Sequence, residues 1–489
     1  MISGDVDQDV KTMTKKNAHI LIVTIAFSGH FGPFVQLMYH LEAKHPGMKV
    51  TVMGNKDRIS DVANLQSKGD LTNLDLHLEE VFGPVPVYAD DPKFPVRPEP
   101  VSHNNFAECE ALRKKLISEK HLPGGPTAII SDMFQYWSKD LADELDVPWY
   151  TYFSVSPMFA VTIVEVPKIL KAGIRPGYPA PNSNARLPAE VPELTPVPGR
   201  SFVRIGDLPE EFTGCGKFFE KVSERTIRAT AVLLNASEEL DSQVGAVAGL
   251  RTLLDSSRVL TIGPTLQFPG FGFVYAPPDL KSKCLAWLDS RREKSVLYIA
   301  FGTLGAMSKE EILELAAGVE ASGVPFLWAL KTGSMTLEEV LPPGFVERTK
   351  ERGLIETGWV PQSMILSHPS TGGFLSHCGW NSILESICAG VPFVAWPLSA
   401  DQPMNARYLA EIKKVGFAVC HLKAENQDNF ENITRHDVEK AVRNLMLEET
   451  GAEVRRNIGE MQKSAIASVV EGGSSFQNLH TLLDELANA

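Results

Sequence analysis

The sequence is poor in the features that mark several large protein classes. Of its 489 residues only six are cysteine, at positions 109, 215, 284, 378, 388 and 420, and no two form a CxxC pair. Scattered thiols in a chain this long exclude a disulfide framework and point to a reducing, cytoplasmic setting. No apolar run reaches the ~18 residues of a membrane-spanning helix. The opening stretch, MISGDVDQDVKTMTKKN, lacks the apolar core of a secretory signal, so neither secretion nor membrane insertion is expected. Basic residues are in deficit: 47 Lys and Arg against 60 Asp and Glu leave a net charge of −13. A nucleic-acid partner would need a basic face to neutralise phosphates, and none is expected. HExxH and paired Cys/His spacings are missing, so no metal is expected. Without a GxxxxGK(S/T) loop, ATP chemistry is not indicated, and no GxGxxG follows either opening strand to suggest a dehydrogenase. The sequons at Asn235 and Asn432 are read as chance.

What is present is globular: 44% hydrophobic and 22% charged residues, in a length that fits two domains of roughly 200–250 residues. Short β-rich apolar runs alternate with helical patterns, which predicts an α/β fold of two doubly wound parallel sheets facing each other across a cleft. The first strand is read at His19–Phe27, nearly continuous in apolar residues and so buried on both faces. A turn with Gly29 and Gly32 follows, then a helix opened by Pro33. Further strands are expected at Lys49–Met53, Thr127–Ser131 and Trp149–Phe153. A second series covers Ser295–Phe301, Pro325–Ala329, Leu354–Thr357, Gly372–Ser376 and Val391–Ala395. Seven prolines between Arg175 and Gly199 predict a long loop, and Gly263–Pro278 reads as an interdomain linker. Ser474–Leu486 carries the apolar spacing of an amphipathic helix.

The richest chemistry lies in the 44 residues from Trp359 to Gln402. The strand Gly372–Ser376 delivers His377, and Gly379, Trp380, Asn381 and Ser382 then open a helix running to Ala389. Free amides and partial positive charge at a helix N-terminus form a diphosphate site without a lysine. His377, Asn381 and Ser382 add donors there. Glu385, one turn on from Asn381, can accept from ribose hydroxyls. Asn381 or Ser382 could equally be an ordinary helix cap; three donors and an acid on one face favour the anion site. The strand ending in Gly302 and Thr303 offers a second close approach for phosphate. Among twelve histidines His30 stands apart, just past the first buried strand at the cleft end of the sheet. Its ordinary pKa of ~6.5 suits a general base. Asp132, at the end of the 127–131 strand, could fix its tautomer, or could simply cap the helix predicted at Met133–Leu145.

The Trp359–Gln402 stretch resembles, nearly position for position, the signature box of the plant secondary-product (family 1) glycosyltransferases, which move a sugar from a UDP-sugar to small lipophilic acceptors. Trp359, Pro361 and Gln362 match its opening, His377 to Ser382 with Glu385 its middle, and Trp396, Pro397, Asp401 and Gln402 its end. The resemblance implies the GT-B fold, with residues 18–262 binding the acceptor and 263–283 as linker. Residues 284–466 would bind UDP-sugar and 467–489 would return onto the first domain. It implies that Trp359 stacks on uracil, with Val360 beside it, and that Gln362 and Glu385 hold the ribose. Gly302, Thr303, His377, Gly379, Asn381 and Ser382 would hold the phosphates, and Trp380, Asp401 and Gln402 the sugar. A glutamine at 402 favours UDP-glucose; Ser399, where relatives often carry an aromatic residue, loosens that selectivity. His30 would be the base and Asp132 its partner, in an inverting transfer that needs no metal and no other cofactor. Phe134, Phe153 and Phe159 could line the pocket of a flavonoid or other phenolic, although core packing explains each of them equally well. The chain is expected to act as a monomer. A hydrolase or oxidoreductase on the same scaffold lacks its nucleophile elbow or dinucleotide fingerprint. A UDP-sugar-binding protein without turnover is disfavoured by His30 and Asp132 together.

Overall fold

The computed structural model describes residues 18–25, 28–82, 125–174, 215–254, 258–265, 278–302, 307–333, 335–419 and 433–489, with isolated positions between 114 and 118 and between 187 and 212. Two sheets, parallel throughout, organise these residues. The first runs in the order β3-β2-β1-β4-β5-β6-β7. Its strands are β1 (His19–Val23), β2 (Lys49–Asn55), β3 (Asp75–Phe82), β4 (Ala128–Asp132), β5 (Trp149–Phe153), β6 (Ala231–Leu234) and β7 (Val259–Thr261). The second runs β10-β9-β8-β11-β12-β13. It is built from β8 (Val296–Ala300), β9 (Phe326–Ala329), β10 (Gly353–Glu356), β11 (Thr371–Ser376), β12 (Phe393–Ala395) and β13 (Gly416–Ala418). β1, β4, β8 and β11 are buried at every position, which is why they read as unbroken apolar runs rather than alternating ones.

The strand order reverses between β1 and β4 in one sheet and between β8 and β11 in the other. At such a reversal the connecting helices diverge to opposite faces and leave a crevice at the carboxyl ends of the strands. His30 and Asp132 follow β1 and end β4; Gly302 and His377 follow β8 and β11. The site residues of both halves therefore sit at the two crevices.

Several local features differ from the sequence-based expectation. β1 stops at Val23, and its helix begins at Ser28 with Pro33 inside it rather than at its first position. The helix after β4 starts at Ser138, not Met133. Residues 133–137 form a turn in which Asp132 Oδ1 accepts from the Phe134 amide (2.9 Å) and its carbonyl from the Gln135 amide (2.9 Å). β3, β6, β7 and β13 went unpredicted. β6 has four residues, β7 and β13 three each, and β3 is an edge strand with the polar sequence DLHLEEVF. Nearly all of the proline-rich 175–199 stretch lies outside the described residues.

The C-terminal helix, Ser474–Asn488, buries Leu479, Leu482, Leu483 and Leu486 in one cluster with Ile20, Ile22, Phe34, Met38 and Val50 of the first half. Each leucine so removed from water contributes about 2 kcal/mol. The Lys44 ammonium adds an ion pair to Asp484 at 2.7 Å. A second tie is electrostatic: Arg407, at the end of helix Gln402–Arg407, donates from Nε (2.8 Å) and Nη2 (3.1 Å) to the carboxylate of Asp207 in the first half. Both side chains are 5% exposed, so the pair is a desolvated fork on a carboxylate.

Candidate active site

At the first crevice, His30 Nδ1 lies 2.7 Å from Asp132 Oδ2, and Asp132 is fully buried. A carboxylate only accepts, so Nδ1 carries the hydrogen and Nε2 is the basic nitrogen of the neutral ring. Burial works against the imidazolium, but the Asp132 charge and hydrogen bond, with a contribution from Asp401, outweigh it. The His30 pKa lies above its ordinary 6.5 as a result. The ring also stacks on Phe134, centroids 5.4 Å apart. Phe134 is half-buried at the edge of an aromatic group with Phe218 and Phe219. Phe153 and Phe159, by contrast, belong to the packed interior, and Phe159 stacks on Phe212. Of the three predicted acceptor residues, the structure brings only Phe134 to the histidine.

The second crevice is built around a helix end. The helix Trp380–Ala389 starts after Gly379, and its hydrogen-bond ladder opens with the Ile383 amide donating to the Gly379 carbonyl, 3.0 Å. The amides of Trp380, Asn381 and Ser382 are thus the unspent donors of its first turn. His377 is wedged between two glycines. A Cβ on Gly302 would stand 2.7 Å from His377 Nε2, and one on Gly379 2.6 Å from the same atom. Gly302 also has φ +71°, a conformation that other residues adopt at a cost. Burial pushes the His377 imidazole down to about 4, a contact with the Ala300 carbonyl works against this, and the charge of Lys331 adds to it. The ring is therefore neutral at pH 7. Lys331, two residues past β9, is itself held below its usual range by burial. Thr303 lies outside the described residues.

Trp359 is 49% exposed. Val360 beside it is buried, and its carbonyl accepts from the Gln362 amide at 2.9 Å. The Gln362 side chain is already fixed: Oε1 accepts from the Tyr298 hydroxyl (3.2 Å), and Nε2 donates to Ser382 Oγ (3.1 Å) and to Glu385. Burial raises the Glu385 carboxyl to about 7 against the opposing Gln362 bond. Asp401 is buried, and Asn405 Nδ2 reaches both Asp401 Oδ2 (2.7 Å) and the Cys378 carbonyl (3.0 Å). Gln402 Oε1 accepts from the amides of Leu398 (2.9 Å) and Ser399 (3.0 Å), which orients its amide and leaves Nε2 as its donor.

Two predicted contacts are altered by partners from the first half. The Trp380 indole N–H donates to the Asn235 carbonyl at 2.7 Å, so a bond from Trp380 to a sugar hydroxyl has to come from its backbone amide. Asn381 donates to the Gly29 carbonyl and accepts from Asn235 Nδ2 at 3.1 Å. Sequence reasoning missed Asn235, Tyr298 and Asn405. Only the Asn235 sequon drew notice, and that residue is fully buried with its amide engaged, which closes it to glycan attachment. Among the described residues no group of three or more His, Cys, Asp or Glu is placed to hold a metal, and no helix is long and apolar enough to cross a membrane.

Two doubly wound halves, one offering the first-turn amides of a helix and the other a histidine–aspartate pair, have the architecture of a GT-B transferase. Residues 261–466 match the family model described as UDP-glucoronosyl and UDP-glucosyl transferase. UDP-glycosyltransferase 73B3 of Arabidopsis thaliana is 33% identical over 381 residues, 74% of each chain. Isoflavone 7-O-glucosyltransferase 1 of Glycine max is 32% identical over 375 residues, 73% of each. Among solved structures, that of UDP-glucose: anthocyanidin 3-O-glucosyltransferase with UDP superposes with a TM-score of 0.78. It is 27% identical and covers 97% of this chain and 100% of that one. The chain belongs to the plant UDP-glycosyltransferase family.

Proposed function

We propose that the protein transfers glucose from UDP-glucose to a hydroxyl of a small aromatic acceptor, a flavonoid or similar phenolic, with inversion to a β-O-glucoside. The observation that carries this reading is the His30–Asp132 pair, 2.7 Å apart, one residue away from the carbonyl that Asn381 of the donor helix grips. His30 Nε2 takes the acceptor proton while the acceptor oxygen forms its bond to the anomeric carbon. The bond from that carbon to the phosphate oxygen breaks on the opposite face, and UDP leaves with the electron pair. Asp132 keeps the proton of the neutral ring on Nδ1 and stabilises the imidazolium. The charge gained by the diphosphate falls on the free amides at Trp380, Asn381 and Ser382 and on neutral side-chain donors.

Trp359 holds uracil, Gln362 and Glu385 the ribose, and Asp401 with Gln402 the glucose. Residues 18–262 form the acceptor half and 284–466 the donor half, joined by 263–283 and closed by 467–489. Relatives named for isoflavone and anthocyanidin glucosylation support a phenolic acceptor. A cytoplasmic setting is consistent with the buried, reduced thiols of Cys284 and Cys388, and the chain is taken to act as a monomer. No metal is required, so turnover should survive excess chelator. Incubation with UDP-glucose and a panel of phenols, read by mass spectrometry, tests the reading. A hexose adduct formed by wild type and lost in His30→Ala supports it; a panel without any adduct overturns the acceptor class. UDP-galactose, UDP-xylose and UDP-glucuronate run in parallel test the Gln402 assignment, where Ser399 leaves room for another sugar.

A further inference from the structure

The two halves meet at one polar junction whose parts have separate local explanations and one joint consequence. Pro33 lies inside the helix Ser28–Lys44. In a regular helix the amide of residue 33 would donate to the carbonyl of residue 29. Proline has no N–H, so the Gly29 carbonyl has no helical donor. The amide that reaches it belongs to Asn381, on the opposite half. From the other side Asn235, at the end of β6, donates from Nδ2 to Asn381 Oδ1 at 3.1 Å.

Asn235 is itself locked. Its Oδ1 accepts from the Thr265 amide (2.9 Å) and hydroxyl (3.1 Å), which fixes which end of its amide faces Asn381. Its carbonyl accepts from the Trp380 indole at 2.7 Å. Asn381 is thereby held in a single orientation: carbonyl oxygen toward Asn235, one amide hydrogen on Gly29, and the second hydrogen left for a ligand. A flipped Asn381 would set its oxygen against the Gly29 carbonyl and its NH2 against the NH2 of Asn235. Both contacts are repulsive.

We propose that Asn235 and Pro33 are positioning residues for the diphosphate: the acceptor half aims the phosphate-binding amide of the donor half. This rests on the assignment of Asn381 to the phosphates. A donor-half site assembled this way binds diphosphate in full only when the acceptor half is docked against it. Because Gly29 is the neighbour of His30, phosphate binding and base position share one strut.

The variants Asn235→Asp and Pro33→Ala test this, with UDP and uridine affinities measured by calorimetry. Asn235→Asp keeps size and the Thr265 contacts but presents an acceptor to Asn381 Oδ1. Pro33→Ala supplies an amide that competes for the Gly29 carbonyl. Both should weaken UDP about tenfold, the scale of one oriented hydrogen bond, raise the donor KM, and leave uridine affinity unchanged, since uridine carries no phosphate. In an Asn381→Ala background neither should weaken UDP further. Equal losses for UDP and uridine, or additive losses in that background, would overturn the proposal. So would unchanged UDP affinity in Asn235→Asp. Failure of wild type to bind UDP would instead strike the donor-site assignment on which it rests.

Discussion

The two crevices are the same place in two similar sheets, yet they are built with opposite electrostatics. At the β1/β4 crevice a fully buried carboxylate sits 2.7 Å from an imidazole and lifts its pKa, against the burial that would lower it. At the β8/β11 crevice an enclosed imidazole has no carboxylate partner among the described residues, and burial takes it to about 4. One histidine is prepared to take a proton; the other stays neutral beside the site proposed for a diphosphate. The fold supplies two equivalent positions, and the residue beside each histidine decides which chemistry it does.

The largest effect should come from breaking the first half of this comparison. His30→Ala removes the base and should lower kcat with a weakly acidic phenol roughly a thousandfold, leaving UDP affinity intact. A rate retained within a fewfold would refute the assignment; a very acidic phenol should lose least. At the second crevice Gly302→Ala puts a Cβ 2.7 Å from His377 Nε2 on a backbone with φ +71°. The left-handed conformation alone costs about 1–2 kcal/mol, and the ring must move as well. UDP affinity should fall roughly tenfold to a hundredfold by calorimetry, with the His30-dependent acid limb of kcat/KM unmoved.

Asp132→Asn sharpens the comparison rather than breaking it. With the charge gone, burial is the main influence left on His30, and its pKa should drop below 6.5. Neutral imidazole is the active form, so the acid limb of kcat/KM should move to lower pH as the plateau falls by about one to two orders of magnitude. A fallen plateau with a stationary limb would make Asp132 a structural residue only. In the wild-type protein the raised pKa of His30 adds stability below the ordinary value of 6.5. That stability is lost as pH rises through the folded value, and Asp132→Asn should reverse the dependence, the buried imidazole then costing stability as pH falls below 6.5.

The sequence made the central strands and the Trp380–Ala389 helix legible because their signals are local: unbroken apolar runs, glycine before a helix, donors at successive positions. His30 and Asp132 were readable because one follows and the other ends a recognisable strand. The cross-domain residues were not. Asn235 looks like any asparagine after a short strand, and its role appears only once Asn381, 146 positions away, is folded against it. Arg407 and Asp207 are 200 positions apart, and nothing near either announces a buried ion pair. Pro33 misled for a related reason. Proline favours the first helical turn on propensity, but here the helix extends back to Ser28, and the carbonyl left without its donor is taken up by the other half of the molecule. Phe153 and Phe159 pack into the interior, and an aromatic side chain on a buried strand or helix carries no local sign of whether it faces a core or a ligand.

The smallest expected effect lies within the second crevice and concerns the raised carboxyl of Glu385. Glu385, at about 7, is half-protonated near neutral pH, and its ionised form, an acceptor at both oxygens, is the stronger partner for two ribose hydroxyls. Donor KM should therefore rise a fewfold as pH falls from 8 to 6, over the range in which the His30 limb is also acting on kcat. The two separate by ligand: UDP affinity measured by calorimetry follows Glu385 and ignores acceptor deprotonation. Glu385→Gln should flatten that pH dependence and fix UDP affinity near the weaker, low-pH value of wild type. Stability moves the other way. A carboxyl whose folded pKa stands above its ordinary 4.5 costs the native state increasingly as pH rises from there to about 7. Glu385→Gln should thus raise the melting temperature most at pH 8 while binding UDP most poorly there relative to wild type. A variant that melts lower at pH 8 and keeps the pH dependence of UDP binding would show that Glu385 is held ionised and that another group sets the donor's pH response.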